Sequence, residues 1–123
     1  MYQAACVALG GAIGALLRHF LQLFVVNRIG MSFMGTLFVN TTGSFLLGAL
    51  IGIMSNHASW PVELRLFLAV GVLGSYTTFS TLSLEIVESL QRGEVLAAST
   101  NLVLSVILGL LAASLGLLAG RLL

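Results

Sequence analysis

Between Gly71 and Ser83 the chain carries six serine and threonine hydroxyls, at Ser75, Thr77, Thr78, Ser80, Thr81 and Ser83, with Gly71 and Gly74 beside them. They lie inside a stretch that is otherwise apolar enough to sit in a bilayer. Hydroxyls and freed backbone N–H groups solvate an anion, while freed carbonyls hold a cation. Glycine is costly in a helix and threonine is stiff, so the density of the run predicts an interruption near Gly74 to Phe79. Unwound backbone at bilayer depth is tolerated where it is buried in protein or lines a cavity. The competing picture is a straight helix whose hydroxyls bond back to carbonyls one turn earlier.

A second set recurs every fourth residue at Thr36, Asn40 and Ser44, which gives one helix a narrow polar face. The Asn40 carboxamide both donates and accepts. It suits two roles equally: an uncharged anion ligand, or a hydrogen-bonded tie to a neighbouring helix. Arg18 and His19 lie well inside the first apolar stretch. Arg18 either snorkels to the near interface or faces an aqueous vestibule, where its field draws anions inward. His19 reads as a polar anchor or as a group titrating near neutrality. The ring of Phe79 is positive around its edge, so an edge turned into a pore favours an anion; the plainer role is packing.

Composition sets the surroundings. Of 123 residues, 59% are hydrophobic and 7% charged, namely five arginines and four glutamates. A soluble domain carries about 25% charged residues, so a water-soluble monomer is excluded. At about 20 residues per span, the apolar length divides into four, at 4–26, 32–54, 63–90 and 95–122. Pro61 and Trp60 suit the start of the third span, as a first-turn residue and an interfacial anchor. No repeat or linker divides the chain, so 1–123 reads as one membrane domain. The net charge of +1 without basic clusters excludes a nucleic-acid partner. Cys6 is the single cysteine, so no intrachain disulfide or thiolate cage forms, and nothing at the N-terminus reads as a cleaved signal.

Orientation follows the arginines of the short loops. Arg65 and Arg121 fall on one side, Arg28 and Arg92 on the other. This balance permits insertion in both directions and hence an antiparallel pair. Spans associate in lipid through small residues, supplied by Gly10 with Gly14, Gly48 with Gly52, and Gly116 with Gly120. Asn101, Ser105, Gly109 and Ala113 extend a small and polar stripe on the fourth span.

These residues resemble the Fluc or CrcB fluoride channels. The matching stretches are 10–14 (Gly-Gly-Ala-Ile-Gly) with Arg18, 35–40 (Gly-Thr-Leu-Phe-Val-Asn) with Gly43 and Ser44, and 74–81 (Gly-Ser-Tyr-Thr-Thr-Phe-Ser-Thr) with Glu85. The resemblance implies an all-α membrane protein of four transmembrane helices, the third interrupted, assembled as an antiparallel dual-topology homodimer. It implies passive export of fluoride across the bacterial inner membrane as protection against its toxicity. By position, Asn40, Phe79, Ser80 and Thr81 would line the fluoride pathway, extended by Thr36, Leu82 and Ser105. Arg18 would stand at the vestibule, and the carbonyls of Gly74 and Thr77 would hold a structural Na+. Glu85 matches the family's third-span acid. Leu82 departs from the family, which places a second phenylalanine there.

Two other classes fit four spans. A small drug/proton antiporter needs an intramembrane carboxylate, for which Glu85 is the candidate; a non-transporting assembly subunit would use the glycines for packing alone. An intramembrane enzyme is not expected: there is no GxSxG elbow, and neither His19 nor His57 has a cysteine or carboxylate placed for a triad or metal. Restoring the ring with Leu82→Phe is expected to keep or increase fluoride flux from liposomes. Complete loss of flux would show that the pore is arranged differently.

Overall fold

The computed structural model describes residues 1–56 and 59–123; His57, in the second connection, lies outside them. Helix α1 spans Tyr2–Ile29, α2 Ser32–Asn56 and α6 Val95–Arg121. Between α2 and α6 the third span is assembled from pieces: α3 (Val62–Arg65), a wide π-helical segment (Leu66–Leu73), α4 (Gly74–Tyr76) and α5 (Phe79–Gln91). Four helical stretches are long and apolar enough to cross a membrane, and no strand occurs among the described residues.

Local chemistry ends these helices where the sequence changes character. Gly30 closes α1 in the left-handed conformation, φ 78°, and its amide returns to the Val26 carbonyl at 2.8 Å. This backbone state is open to glycine at little cost. Arg28 occupies the last turn, where a cation complements the helix dipole, and its guanidinium lies 5.2 Å from the centre of the Phe24 ring. Pro61 immediately precedes the first helical residue of α3. Its fixed φ suits a helix entry.

The glycine pairs act within the chain. Gly10 and Gly14 of α1 meet the π-helical segment, where a Cβ on either would collide with the Phe67 or Val72 carbonyl. Gly71 takes part from the other side, its Cβ position lying 2.9 Å from the Gly10 Cα. Gly48 and Gly52 of α2 face Gly116 and Gly120 of α6, and a Cβ at Gly52 would lie 2.8 Å from the Gly120 Cα. In lipid such backbone approach is what holds helices together. All three GxxxG pairs are thus consumed by packing inside one chain.

What remains outside is apolar. Leu110, Leu115 and Leu118 of α6 and Leu16, Phe20 and Phe24 of α1 are exposed, a surface fit for lipid or another apolar partner. The fully buried side chains are Val39 and Thr36, both on α2, so the middle of α2 is the centre of the bundle. Gly116→Leu is expected to destabilise the fold by at least about 2 kcal/mol, since overpacking costs about 1–3 kcal/mol even where neighbours yield. A lower melting temperature in detergent checks it; unchanged melting would mean that α2 and α6 lie further apart.

Candidate ion pathway

The helical path of the third span stops at Thr77 and Thr78, whose backbones are extended (φ −82°, ψ 158° and φ −151°, ψ 120°). The interruption expected from the hydroxyl run is present and is two residues long. Asn40 accounts for how it is held. Its Nδ2 donates to the Thr78 carbonyl at 2.8 Å, and its Oδ1 accepts from the Thr78 amide at 2.8 Å. A primary carboxamide presents the same donor and acceptor as a peptide group, so one side chain meets both polar groups of Thr78 and replaces the helical bond that its amide gives up.

Other groups secure the two sides of the break. Thr42 Oγ1 donates to the Phe38 carbonyl at 2.8 Å and so receives the Tyr76 hydroxyl, 2.9 Å away. The Thr77 hydroxyl donates to the Leu73 carbonyl at 3.2 Å. Beyond the break, Thr78 Oγ1 accepts from the Thr81 amide at 3.3 Å and caps α5. The same hydroxyl lies 3.0 Å from Thr81 Oγ1 and 3.3 Å from Ser80 Oγ. The α5 N-terminus, with the partial positive charge of a helix start, is therefore set in a cluster of hydroxyls. Gly43 lets α2 come this close, because a Cβ there would strike the Thr77 side chain and the Tyr76 ring.

The outer side of the break is open. Phe79 is 81% exposed, and a cavity of about 240 Å³ is lined by Asn40, Ser44, Leu47, Thr77, Thr78 and Phe79. Asn40 keeps one N–H and one lone pair after pairing with Thr78. Leu82 differs from Phe79: it is buried, 7% exposed, inside the chain.

Thr36 and Ser105 belong to another group, about one turn of α2 from Asn40. Gln22 Nε2 donates to Thr36 Oγ1 at 3.2 Å, and Thr36 Oγ1 donates to Glu85 Oε1 at 2.7 Å. Asn101 Nδ2 approaches Glu85 Oε2 at 3.5 Å, and Ser105 Oγ donates to Asn101 Oδ1 at 3.2 Å. The three other spans thus converge on one carboxylate. Glu85 also lines a cavity of about 330 Å³, shared with Glu88, Glu94, Arg92 and Ser89. Arg92 and Glu94 pair at 3.1 Å on its exposed rim, a contact worth little in water.

For a cation, the break supplies neutral oxygens. With the Thr78 amide turned to Asn40, the Gly74 carbonyl loses its usual helical donor, and Gly74 lies at the surface. The Thr77 carbonyl accepts from Arg18 Nη1 at 3.3 Å and retains a second lone pair. Carbonyl oxygens suit a hard monovalent ion, so these residues fit Na+ as part of a ligand set. No cluster of three or more His, Cys, Asp or Glu that could hold a metal occurs among the described residues. Arg18 is half-buried and directed at the break.

Gln22, Asn101, Thr42 and Tyr76 escaped the sequence reading as site residues. Gln22 had a signal: it follows Arg18 by four residues, on the same face of an otherwise apolar helix. Asn101 was visible only as part of a packing stripe.

A four-span membrane protein with unwound, hydroxyl-rich backbone at the middle of its third span is of the class that builds ion sites from broken helices. The chain belongs to the CrcB family: the family described as "CrcB-like protein, Camphor Resistance (CrcB)" matches residues 5–117. It is 46% identical over 121 residues to a protein of Magnetococcus marinus named fluoride-specific ion channel FluC, covering 98% of each chain. A protein of the same name from Thermus thermophilus is 51% identical over 111 residues, covering 89% of this chain and 87% of that one. Another from Rhizobium meliloti is 44% identical over 112 residues, 90% of each.

Removing the carboxamide strands the Thr78 amide and takes one partner from the Thr78 carbonyl. Asn40→Ala is expected to lower stability by about 2 kcal/mol, from unsatisfied polar groups costing about 1–3 kcal/mol each, partly relieved by water. Ser44→Ala in the same cavity should change it little. Thermal unfolding in detergent distinguishes them, and equal melting of both variants would mean that Asn40 does not hold the break.

Proposed function

We propose that the chain is a fluoride-selective channel that exports fluoride passively from the cytoplasm of a bacterial cell across the inner membrane, limiting its toxicity. The observation that carries this reading is the opened third span, with exposed Phe79 and the Asn40-braced backbone on one cavity, in a chain whose close relatives bear the name fluoride channel. A small, strongly hydrated anion must exchange its water for donors that release it again. Fixed lysines or arginines along the path would trap it. The remaining Asn40 N–H, the hydroxyls of Ser80 and Thr81 and the Phe79 ring edge are weaker donors and are spread along a track. Arg18, close to the break, adds a positive field that draws anions inward. Thr36, Leu82 and Ser105 extend the path towards the Glu85 group. No chemical step is involved, so the protein acts without catalysis.

The working unit in this reading is an antiparallel homodimer of dual topology. Its support is the even division of loop arginines, two on each side, and the exposure of Phe79, which a second copy would cover to enclose the ion. A structural Na+ would be held by the Gly74 and Thr77 carbonyls of both copies. Bound there, it supplies fixed positive charge between two anion paths.

Purified protein in liposomes, followed with a fluoride electrode, tests the reading. Fluoride efflux down its gradient is expected without chloride efflux and without dependence on a proton gradient. Asn40→Asp, which sets a carboxylate against the Thr78 carbonyl, should abolish it. Efflux that needs a proton gradient, or that carries chloride equally, would replace the channel by another transporter.

A further inference from the structure

The hydrogen-bond chain that begins at Gln22 has a direction. An ionised carboxylate only accepts, and Thr36 Oγ1 lies 2.7 Å from Glu85 Oε1, so the single hydroxyl proton of Thr36 points at Glu85. Gln22 Nε2, 3.2 Å from the same oxygen, therefore arrives as a donor and fills the accepting side. This arrangement is unlike that of three other helical hydroxyls of the chain. Thr42 donates to the Phe38 carbonyl, Ser83 to Phe79 and Ser114 to Leu110, each four residues back in its own helix. That is the ordinary fate of a hydroxyl in a membrane helix, and it removes the proton from any passing ion. Thr36 escapes it, being held from outside by a side chain of α1 while buried to 2% exposure.

We propose that Gln22 is a positioning residue of the ion path, donating to Thr36 Oγ1 and thereby keeping the Thr36 proton turned to the anion side. The inference rests on the reading above that Thr36 lines the fluoride path. Gln22 itself touches no ion. Its effect is to leave the Thr36 hydroxyl one direction in which to donate, whether the acceptor is a resident carboxylate or a fluoride in transit.

Exchanging donor for acceptor at Gln22, with almost no change of shape, isolates this role. In Gln22→Glu the ionised carboxylate draws the Thr36 proton towards α1. When the new carboxyl protonates it donates again, and the original direction returns. The ionisable groups around this position are Glu85 on α5, bonded to Thr36, with Glu88 next to it on the same helix, and Arg18 and His19 one turn earlier on α1; α6 contributes the neutral Asn101 and Ser105. Flux is therefore read as the ratio of variant to wild type at each pH. Fluoride efflux from liposomes by Gln22→Glu is expected to be about tenfold below wild type near pH 8, the scale of one charge-assisted hydrogen bond, recovering to within about twofold near pH 5.5 as the new carboxyl protonates. Gln22→Met, which removes the donor and adds no acceptor, should give a smaller loss with no recovery. In a Thr36→Val background Gln22→Glu should have no further effect.

A Gln22→Glu ratio near one at both pH values, or a loss that does not recover, overturns the inference while leaving Thr36 in the path. Unimpaired flux in Thr36→Val removes Thr36 from the path and the role of Gln22 with it. Should Gln22→Glu fail to elute as a single species in detergent, Gln22→Met decides: its loss must vanish in the Thr36→Val background, and an additive loss there overturns the proposal.

Discussion

The pairing of the Asn40 carboxamide with the backbone of Thr78 is the contact on which the centre of this protein depends. A helix cannot stop at bilayer depth unless the released amide and carbonyl find partners, because no bulk water is available to take them. Asn40 supplies the partner for the Thr78 amide and a second bond to the Thr78 carbonyl, each at 2.8 Å, from a neighbouring helix. Once Thr78 is held in this way, α5 begins with its N-terminal charge and hydroxyl cap in the interior, and the Gly74 carbonyl on the other side is released. The tie and the opening of the backbone are thus two aspects of one arrangement. Of the two roles open for Asn40 in the sequence, the structure shows the tie to a neighbouring helix, which uses half of the carboxamide's hydrogen-bonding capacity.

Close packing makes that contact possible. Gly43 brings α2 against the break, while Gly10 and Gly14 bring α1 against the π-helical segment above it. Because the Gly10 and Gly14 contacts are with backbone and the Gly43 contact leaves no room for a Cβ, they fix helix separation within tight limits, and short side chains such as Asn40 and Thr36 can bridge it. The wide turns of Leu66–Leu73 and the extended pair at Thr77 and Thr78 lie in the same span, so the third span departs from regular α-helix over much of its membrane depth. It does so while α1, α2 and α6 remain unbroken and serve as its support.

Polar groups in the interior fall into two sets that α2 links. Around Asn40 the donors are neutral and one side is open. Around Glu85 they converge from the three other spans on a carboxylate, directly from Thr36 and Asn101 and through them from Gln22 and Ser105. The first set suits transient solvation of an anion, since none of its members except Arg18, bonded to the Thr77 carbonyl, carries charge. The second shows what the same donors do when a negative group is permanently present: they turn towards it. Thr36 belongs to the second set by its hydrogen bonds and to the first by its position on the helix.

The sequence by itself determined the number of spans, the place of the interruption and the residue types around it. Apolar length counts spans, and a dense run of hydroxyls with glycine opposes helix at any position in the chain, whatever surrounds it. Family motifs such as Gly-Thr-Leu-Phe-Val-Asn and Thr-Thr-Phe-Ser-Thr are also local strings, so they too were legible. Tertiary structure alone decided which groups meet. Asn40 and Thr78 are separated by 38 residues, Gln22 and Thr36 lie on different helices, and Leu82 faces inward while Phe79 faces out. Such pairings depend on helix rotation and separation, set by glycine contacts spread over the whole chain, and a rotation of one residue would bring other side chains together.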